Sequence, residues 1–182
     1  MLDTGTLRLK FIALINRGSD GLDLGAGDGR WAFVASSKQA RVTAIDRQPS
    51  PDSLPIGMRW IQADVCNGLS SFLESNHSGF DFMMCWNLIQ FLPHDYVTDN
   101  LLPSLAQYAR PNCVLGLRTF WRNPIPGFAN PVPSLYRTNE LVRSLKGWDI
   151  IHKEEIEGDG PSLDGTTMRH WYFTDIIARF PS

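Results

Sequence analysis

The run Gly21-Leu22-Asp23-Leu24-Gly25-Ala26-Gly27-Asp28-Gly29-Arg30 joins an apolar stretch to a GxGxG turn. Glycine has no Cβ, so it accepts positive φ and lets backbone amides come close to a ligand at the start of the following helix. The chemistry that suits such a turn is the holding of a nucleotide-like cofactor.

Acids at later strand ends extend that reading. Arg41-Val42-Thr43-Ala44-Ile45-Asp46 reads as a second strand ending in a carboxylate, one βαβ unit beyond the glycine turn, where a ribose-hydroxyl acceptor is expected. A third strand, Met58-Arg59-Trp60-Ile61-Gln62-Ala63-Asp64-Val65, again runs to an acid, and Phe80-Asp81-Phe82-Met83-Met84-Cys85-Trp86-Asn87 is a fourth. These ends converge on one crevice.

In these pieces the chain resembles the class I S-adenosylmethionine-dependent methyltransferases. The resemblance is carried by Leu22 to Gly29, by Asp46, by Gln62-Ala63-Asp64-Val65, and by Phe80-Asp81 leading through Trp86-Asn87-Leu88 to Phe91-Leu92-Pro93. Glu140 to Ile151, with the closing His170-Trp171-Tyr172-Phe173, is similar to the tellurite-resistance-type branch of small-molecule methyltransferases. The resemblance implies a Rossmann-like, doubly wound α/β sheet of seven strands, mostly parallel with the last one antiparallel. It also implies S-adenosylmethionine as cofactor and methyl transfer to a small molecule as activity.

The same resemblance assigns roles. Asp23 orients the methionine amine, Gly25, Ala26 and Gly27 form the turn that approaches the cofactor, and Asp46, followed by Arg47, accepts from the ribose hydroxyls. Asp64 accepts from the adenine amino group while the Val65 amide donates to the ring, and Asn87 lies beside the methionine part. Read from the residues alone, the alternative for Asp23 or Asp64 is an acid bonded to local amides or capping a helix. Asp28 is a solvated turn residue or a helix cap, and Trp31 and Trp60 are core or adenine-flanking aromatics.

A nicotinamide dinucleotide is the rival cofactor. Counted from Gly25 the GxGxxG frame fails at Arg30, but Gly27-Asp28-Gly29-Arg30-Trp31-Ala32 satisfies GxGxxA. Charge decides: a pyrophosphate over this turn faces Asp28 and Asp23, whereas a ligand with ammonium and sulfonium groups suits a cleft lined by Asp23, Asp28, Asp46 and Asp64. A module of another class, keeping the fold and binding or scaffolding without catalysis, is the alternative that no single residue removes.

Methyl transfer from a sulfonium needs chiefly in-line positioning at ~3–3.5 Å, and a general base only for acceptors that arrive protonated. His94 and His170 are the candidate bases, each also readable as a structural histidine; His77 and His152 are weaker. Arg118, Phe120 and Trp121, with Arg122, end the fifth strand and form either a substrate pocket joining aromatic and anion contacts or packing under the loop that follows. Asn87-Leu88-Ile89-Gln90 departs from a DPPY-like motif, which speaks against base-amino or glutamine methylation. Glu154, Glu155 and Glu157 read as a solvated edge.

The 182 residues, 43% hydrophobic, suffice for one domain spanning 1–182. A formal charge of −2 without a Lys/Arg run disfavours a nucleic-acid partner. Cys66, Cys85 and Cys113 are odd in number and never form CxxC, so neither a disulfide framework nor a metal site is expected. No apolar run reaches the ~18 residues of a membrane span, and no signal core is visible, which gives a cytoplasmic expectation. Oligomeric state is not legible.

The elements that must position these residues alternate along the chain. Helices are expected over Thr4 to Asn16, Trp31 to Ser37, Leu69 to Ser75, Asp95 to Arg110 ended by Pro111, and Asn139 to Lys146 with Thr138 as N-cap and Gly147 as terminator. Further strands are expected over Val114 to Phe120, Trp148 to Glu155 and His170 to Arg179. A proline-rich excursion over Asn123 to Pro133 and a turn-rich hairpin connection over Glu157 to Gly165 complete the pattern.

Overall fold

A computed structural model describes residues 6–71, 73, 79–122, 134–161 and 167–182. The first half is a run of strands and short crossovers: α1 (Thr6–Ala13), β1 (Asp20–Leu24), α2 (Arg30–Ser37), β2 (Arg41–Asp46), β3 (Met58–Gln62) and β4 (Phe80–Trp86). The second half comprises α3 (His94–Tyr96), α4 (Leu102–Leu105), β5 (Ala109–Phe120), α5 (Thr138–Ser144), β6 (Asp149–Pro161) and β7 (Met168–Arg179). The strands make one seven-stranded sheet in the order β3-β2-β1-β4-β5-β7-β6. The first five are parallel neighbours, while β7 runs antiparallel to both β5 and β6. The doubly wound α/β sheet is therefore the expected one.

Period-two alternation along the strands divides the core between two faces. Phe82, Met84 and Trp86 of β4 point to the face covered by Leu7, Phe11 and Ile15 and by Ala32 and Ala35 of α2. Met83 and Cys85 point to the other, where Leu101, Leu102, Leu105, Leu141 and Leu145 pack. Phe11 meets the Trp86 ring edge-on, centroids 5.3 Å apart. Two glycines beside β4 make room for its aromatics: a Cβ on Gly21 would lie 2.0 Å from the Phe82 ring and one on Gly116 2.3 Å from that of Trp86.

Several boundaries differ from expectation, each for a local reason. The single helix expected over Asp95 to Arg110 is composite: α3, a π turn over Val97–Leu101, α4, and a 3-10 turn over Ala106–Tyr108. Pro103 has no amide to give the preceding turn, and the wider π turn lies just ahead of it. Pro111 does not end this helix but sits inside β5. There the pairing with β4 jumps from Ala109 to Val114, so Pro111 lies in a bulge where no donor to β4 is required, and Asn112 (φ 66°) turns its amide to the Phe180 carbonyl at 3.0 Å.

The helix expected at Leu69 to Ser75 is two 3-10 turns, Val65–Asn67 and Leu69–Ser71; residues 72 and 74–78 lie outside the described residues. Thr138 is the first helical residue of α5 rather than its cap, because its amide and hydroxyl both donate to the Glu155 carboxylate. Glu155 also pairs with Arg137 at 2.8 Å, so it is tied to α5 rather than free on a solvated edge. β6 runs on through Glu157 to Pro161, replacing the first half of the expected turn-rich connection. Residues 162–166 and the proline-rich stretch 123–133 lie outside the described residues. Cys85 and Cys113 are buried and Cys66 is exposed. No helix among the described residues is long and apolar enough to cross a membrane.

Candidate functional site

Strand order reverses direction between β1 and β4, and in an open α/β sheet the crevice at that point lies beyond the strands' carboxyl ends. A cleft of about 220 Å³ opens there. It is lined by Gly25 and Gly27 after β1, Asp46 and Arg47 at the end of β2, Ala63, Asp64 and Val65 after β3, and Asn87, Leu88, Phe91 and Leu92 after β4. Four separate strand ends thus supply one wall each.

The glycine turn is shaped by conformation and by space. Gly25 has φ 69° and Gly27 φ 60°, in the region that L side chains avoid. A Cβ on Gly25 would lie 2.7 Å from Leu88, whereas one on Gly27 would meet nothing within 4 Å and would project into open space. Gly25 thus packs the turn against the β4 loop, and Gly27 leaves its backbone bare to the cleft. The amides of Gly25 and Ala26 both donate to the Ile45 carbonyl, at 2.8 and 3.1 Å, which anchors the turn to β2.

Asp46 completes that anchor. One carboxylate oxygen accepts from the Gly27 amide at 2.8 Å and the other from the Gln48 amide at 2.9 Å. Its acceptor capacity is not exhausted, since each carboxylate oxygen takes two bonds. Asp64 caps the 3-10 turn by accepting from the Cys66 amide at 2.9 Å, so the local capping reading is correct even though the residue also lines the cleft. The Tyr96 hydroxyl donates to the Val65 carbonyl and holds this turn against α3.

Asn87 stands at φ 56°, its amide donating to the Arg118 carbonyl at 2.8 Å. Its side-chain oxygen is buried with no partner among the described residues. A buried, unmatched acceptor facing a cleft is a place where a ligand donor is favoured.

Asp23 lies behind the turn rather than in the cleft lining, 2% exposed. Burial pushes its carboxyl up to about 7, with the nearby Asp46 charge adding and Arg8 opposing. Asp28 is a solvated turn residue that accepts from the Arg30 amide at 3.1 Å and pairs with its guanidinium at 2.7 Å. Trp60 packs on the core and donates its indole N–H to the Gln48 carbonyl at 3.2 Å.

The remaining sequence candidates fall elsewhere. Arg118 and Phe120 are buried, at 1% each, and Arg118 forms a closed ion pair with Asp175 across β5 and β7, Nε to Oδ1 2.6 Å. Trp121 packs edge-on against Tyr172 with Arg137 above its ring. His94 holds Glu140 at 2.6 Å, stacks on Tyr136 and lines a different groove, between α3 and α5. His170 pairs with Asp159 at 2.9 Å on the β6–β7 hairpin. None of the five lines the cleft. Sequence reasoning gave no role to Leu88, Phe91 and Leu92, which close the cleft's apolar side; their position directly after β4, at the reversal of strand order, was the available signal.

A family model described as a methyltransferase domain matches residues 4–171. The chain belongs to that methyltransferase family. S-adenosylmethionine is the cofactor of the class. Among solved structures, this methyltransferase chain resembles the 1,6-didemethyltoxoflavin N1-methyltransferase of Burkholderia thailandensis, solved with 1,6-didemethyltoxoflavin and S-adenosylhomocysteine bound. The two are 16% identical, with 98% of this chain and 80% of that one covered and a TM-score of 0.67. TehB of Haemophilus influenzae is 18% identical, covering 95% of this chain and 61% of that one, TM-score 0.73. The N-methyltransferase NodS of Bradyrhizobium japonicum, solved with S-adenosylhomocysteine, is 14% identical over 97% of this chain and 85% of that one, TM-score 0.64. At such identities the likeness is one of fold. No curated protein matches the methyltransferase chain in sequence.

Proposed function

We propose that the chain is an S-adenosylmethionine-dependent methyltransferase, folded as one domain, acting on a small-molecule acceptor. The observation that carries this reading is the meeting of Asp46, Asp64, Val65, Asn87 and the bare Gly27 backbone in one cleft at the switch point of the sheet. When bound, S-adenosylmethionine supplies a methyl carbon on a sulfonium leaving group.

Each wall has a task in this reading. Asp46, fixed by two backbone amides, accepts from the ribose hydroxyls with its remaining lone pairs. Asp64 keeps its second oxygen for the adenine amino group while the Val65 amide donates to the ring. Asn87 offers its unmatched oxygen, and Asp23 its buried carboxylate, to the methionine ammonium. A carboxyl held up to about 7 by burial is restored to its charged form by a nearby cation, so Asp23, behind the glycine turn, favours a positively charged group over a pyrophosphate.

Neither His94 nor His170 lines the cleft, and catalysis in this reading rests on orientation of the acceptor rather than on either imidazole. The small-molecule acceptor is supported by the 1,6-didemethyltoxoflavin N1-methyltransferase among the structural relatives and by the lack of a basic run in this chain.

Isothermal titration with S-adenosylhomocysteine, with NADH in parallel, tests the cofactor. Binding of the first and not the second is expected. Binding of NADH alone would overturn the cofactor, and binding of neither would favour a non-catalytic module.

A further inference from the structure

A second hollow, of about 430 Å³, opens at the other end of the sheet from the switch-point cleft and shares no lining residue with it. Asp81 and Phe82 at the start of β4, Val114 of β5 and Arg179 at the end of the antiparallel β7 form one side, and the connection from α1 to β1 forms the other. Two local departures from regular structure make the space. The β5 bulge takes Pro111 and Asn112 out of the β4 ladder, and the connection turns at Gly18, where a Cβ would meet nothing within 4 Å. The floor is apolar, with Ile15, Phe82 and Val114 all buried. The rim is polar, carrying Asn16, Arg17, Ser19, Asn112 and Arg179.

The acids beside this hollow already have their cations. Asp20 is bound by Arg41 at 2.6 Å and by Arg110 at 2.8 Å. Asp81 accepts from Arg110 at 2.8 Å and from the Asp20 amide at 2.8 Å. Two guanidiniums thus answer two carboxylates. Arg17 and Arg179 differ: neither has an ion pair, a side-chain hydrogen bond or a ring contact among the described residues. Asp149 stands opposite Arg179 in the β6–β7 register, yet no ion pair joins them among the described residues. The side chains of Asn16, Ser19 and Asn112 are likewise without a partner among the described residues.

The chain as a whole carries a formal charge of −2, so two unanswered guanidiniums in one hollow do not follow from its composition. A concave wall of low dielectric strengthens the attraction of such cations for an anion, and the planar fork of arginine matches the two oxygens of a carboxylate or phosphate. The volume lies within the range of small-molecule pockets, which pair an apolar floor with a few polar groups that fix orientation.

We propose that this hollow binds a small organic oxyanion, a phosphate or carboxylate borne on an apolar or aromatic body. Arg17 and Arg179 hold the charge, Ser19 and Asn112 serve the remaining oxygens, and the body rests on Phe82 and Val114. The site is independent of the S-adenosylmethionine reading, because it uses the opposite strand ends and none of the cleft residues.

The test is titration of phenyl phosphate, benzoate and inorganic phosphate into the full chain at constant ionic strength, followed by backbone amide resonances. Saturable shifts centred on Gly18, Ser19 and Asn112 are expected, with an aromatic probe saturating at lower concentration than inorganic phosphate because it also covers the floor. Phenyl phosphate saturating ahead of benzoate assigns a phosphate ligand, and the reverse order a carboxylate. Arg17→Gln and Arg179→Gln each weaken binding ~10-fold, and the double variant loses it. Neither substitution removes a native contact, so melting temperatures without ligand stay close to wild type. Arg143→Gln, exposed on α5, leaves binding unchanged.

Shifts confined to Gly27, Val65 and Asn87 would place the anion in the switch-point cleft and overturn the proposal. Shifts that persist in the Arg17→Gln, Arg179→Gln double variant, or a response that fails to saturate and is equal for all three probes, overturn it as well.

Discussion

The carboxylate of Asp46 receives the Gly27 amide at 2.8 Å, so the last residue of β2 and the middle glycine of the turn after β1 are held as one unit. A side chain that shapes the turn and also faces the cleft is tested by two substitutions rather than one. Asp46→Asn keeps an oxygen for Gly27, whereas Asp46→Ala removes both contacts. Asp46→Ala is expected to weaken S-adenosylhomocysteine by about 1–3 kcal/mol, with Asp46→Asn intermediate, as measured by isothermal titration. Unchanged affinity in a folded Asp46→Ala chain would remove Asp46 from the ribose role.

Gly25 and Gly27 separate packing from access. Both have positive φ, so alanine at either strains the backbone by about 1–2 kcal/mol. Only at Gly25 does the new methyl also strike Leu88. Thermal denaturation should therefore find Gly25→Ala the less stable of the two. Titration should find that Gly27→Ala loses cofactor affinity out of proportion to its stability. Equal behaviour of the pair would mean that Gly27 is bare for no functional reason.

Asp23 makes folding and binding depend on pH in opposite directions. Its carboxyl titrates at about 7 in the fold, against an ordinary value near 3.8. The folded chain therefore keeps a proton that the unfolded chain has lost, and stability falls as pH rises from about 4 to about 7, then levels. Asp23→Asn should flatten that slope, leaving the melting temperature little changed at pH 4 and higher than wild type at pH 8. Affinity of the wild type for S-adenosylhomocysteine should rise over pH 6 to 8, as the carboxylate forms, and Asp23→Asn should abolish the rise.

Arg118 and Asp175 are a buried pair, 1% and 2% exposed, and removing one partner strands the other. Arg118→Ala should cost about 3–5 kcal/mol in urea denaturation. The double change Arg118→Met with Asp175→Leu should recover most of that loss. A small effect of Arg118→Ala on stability would return the residue to the list of substrate contacts.

The parallel half of the fold was legible because each strand there is a short apolar run ending at a marked residue. Arg41 to Asp46 is observed with the bounds read from sequence, and the gathering of Asp46, Asp64 and Asn87 follows from where those runs stop. The antiparallel half was less so. Whether Arg118 faces a pocket or a carboxylate depends on the register that sets it opposite Asp175, a pairing across 57 residues that local pattern does not encode. The same holds for Glu155, whose partner is the start of α5. Within the composite helix, apolar spacing was right but Pro103 went unweighed, and the strand began earlier than Pro111 suggested because a bulge absorbs that proline.

β7 lies between β5 and β6 although it follows both in the chain. During synthesis β6 therefore leaves the ribosome before the strand to which it hydrogen-bonds, with an open gap beside β5. The chain can assemble its parallel half and the cleft at the switch point early, but the sheet closes only when its latest strand arrives and brings Asp175 to Arg118.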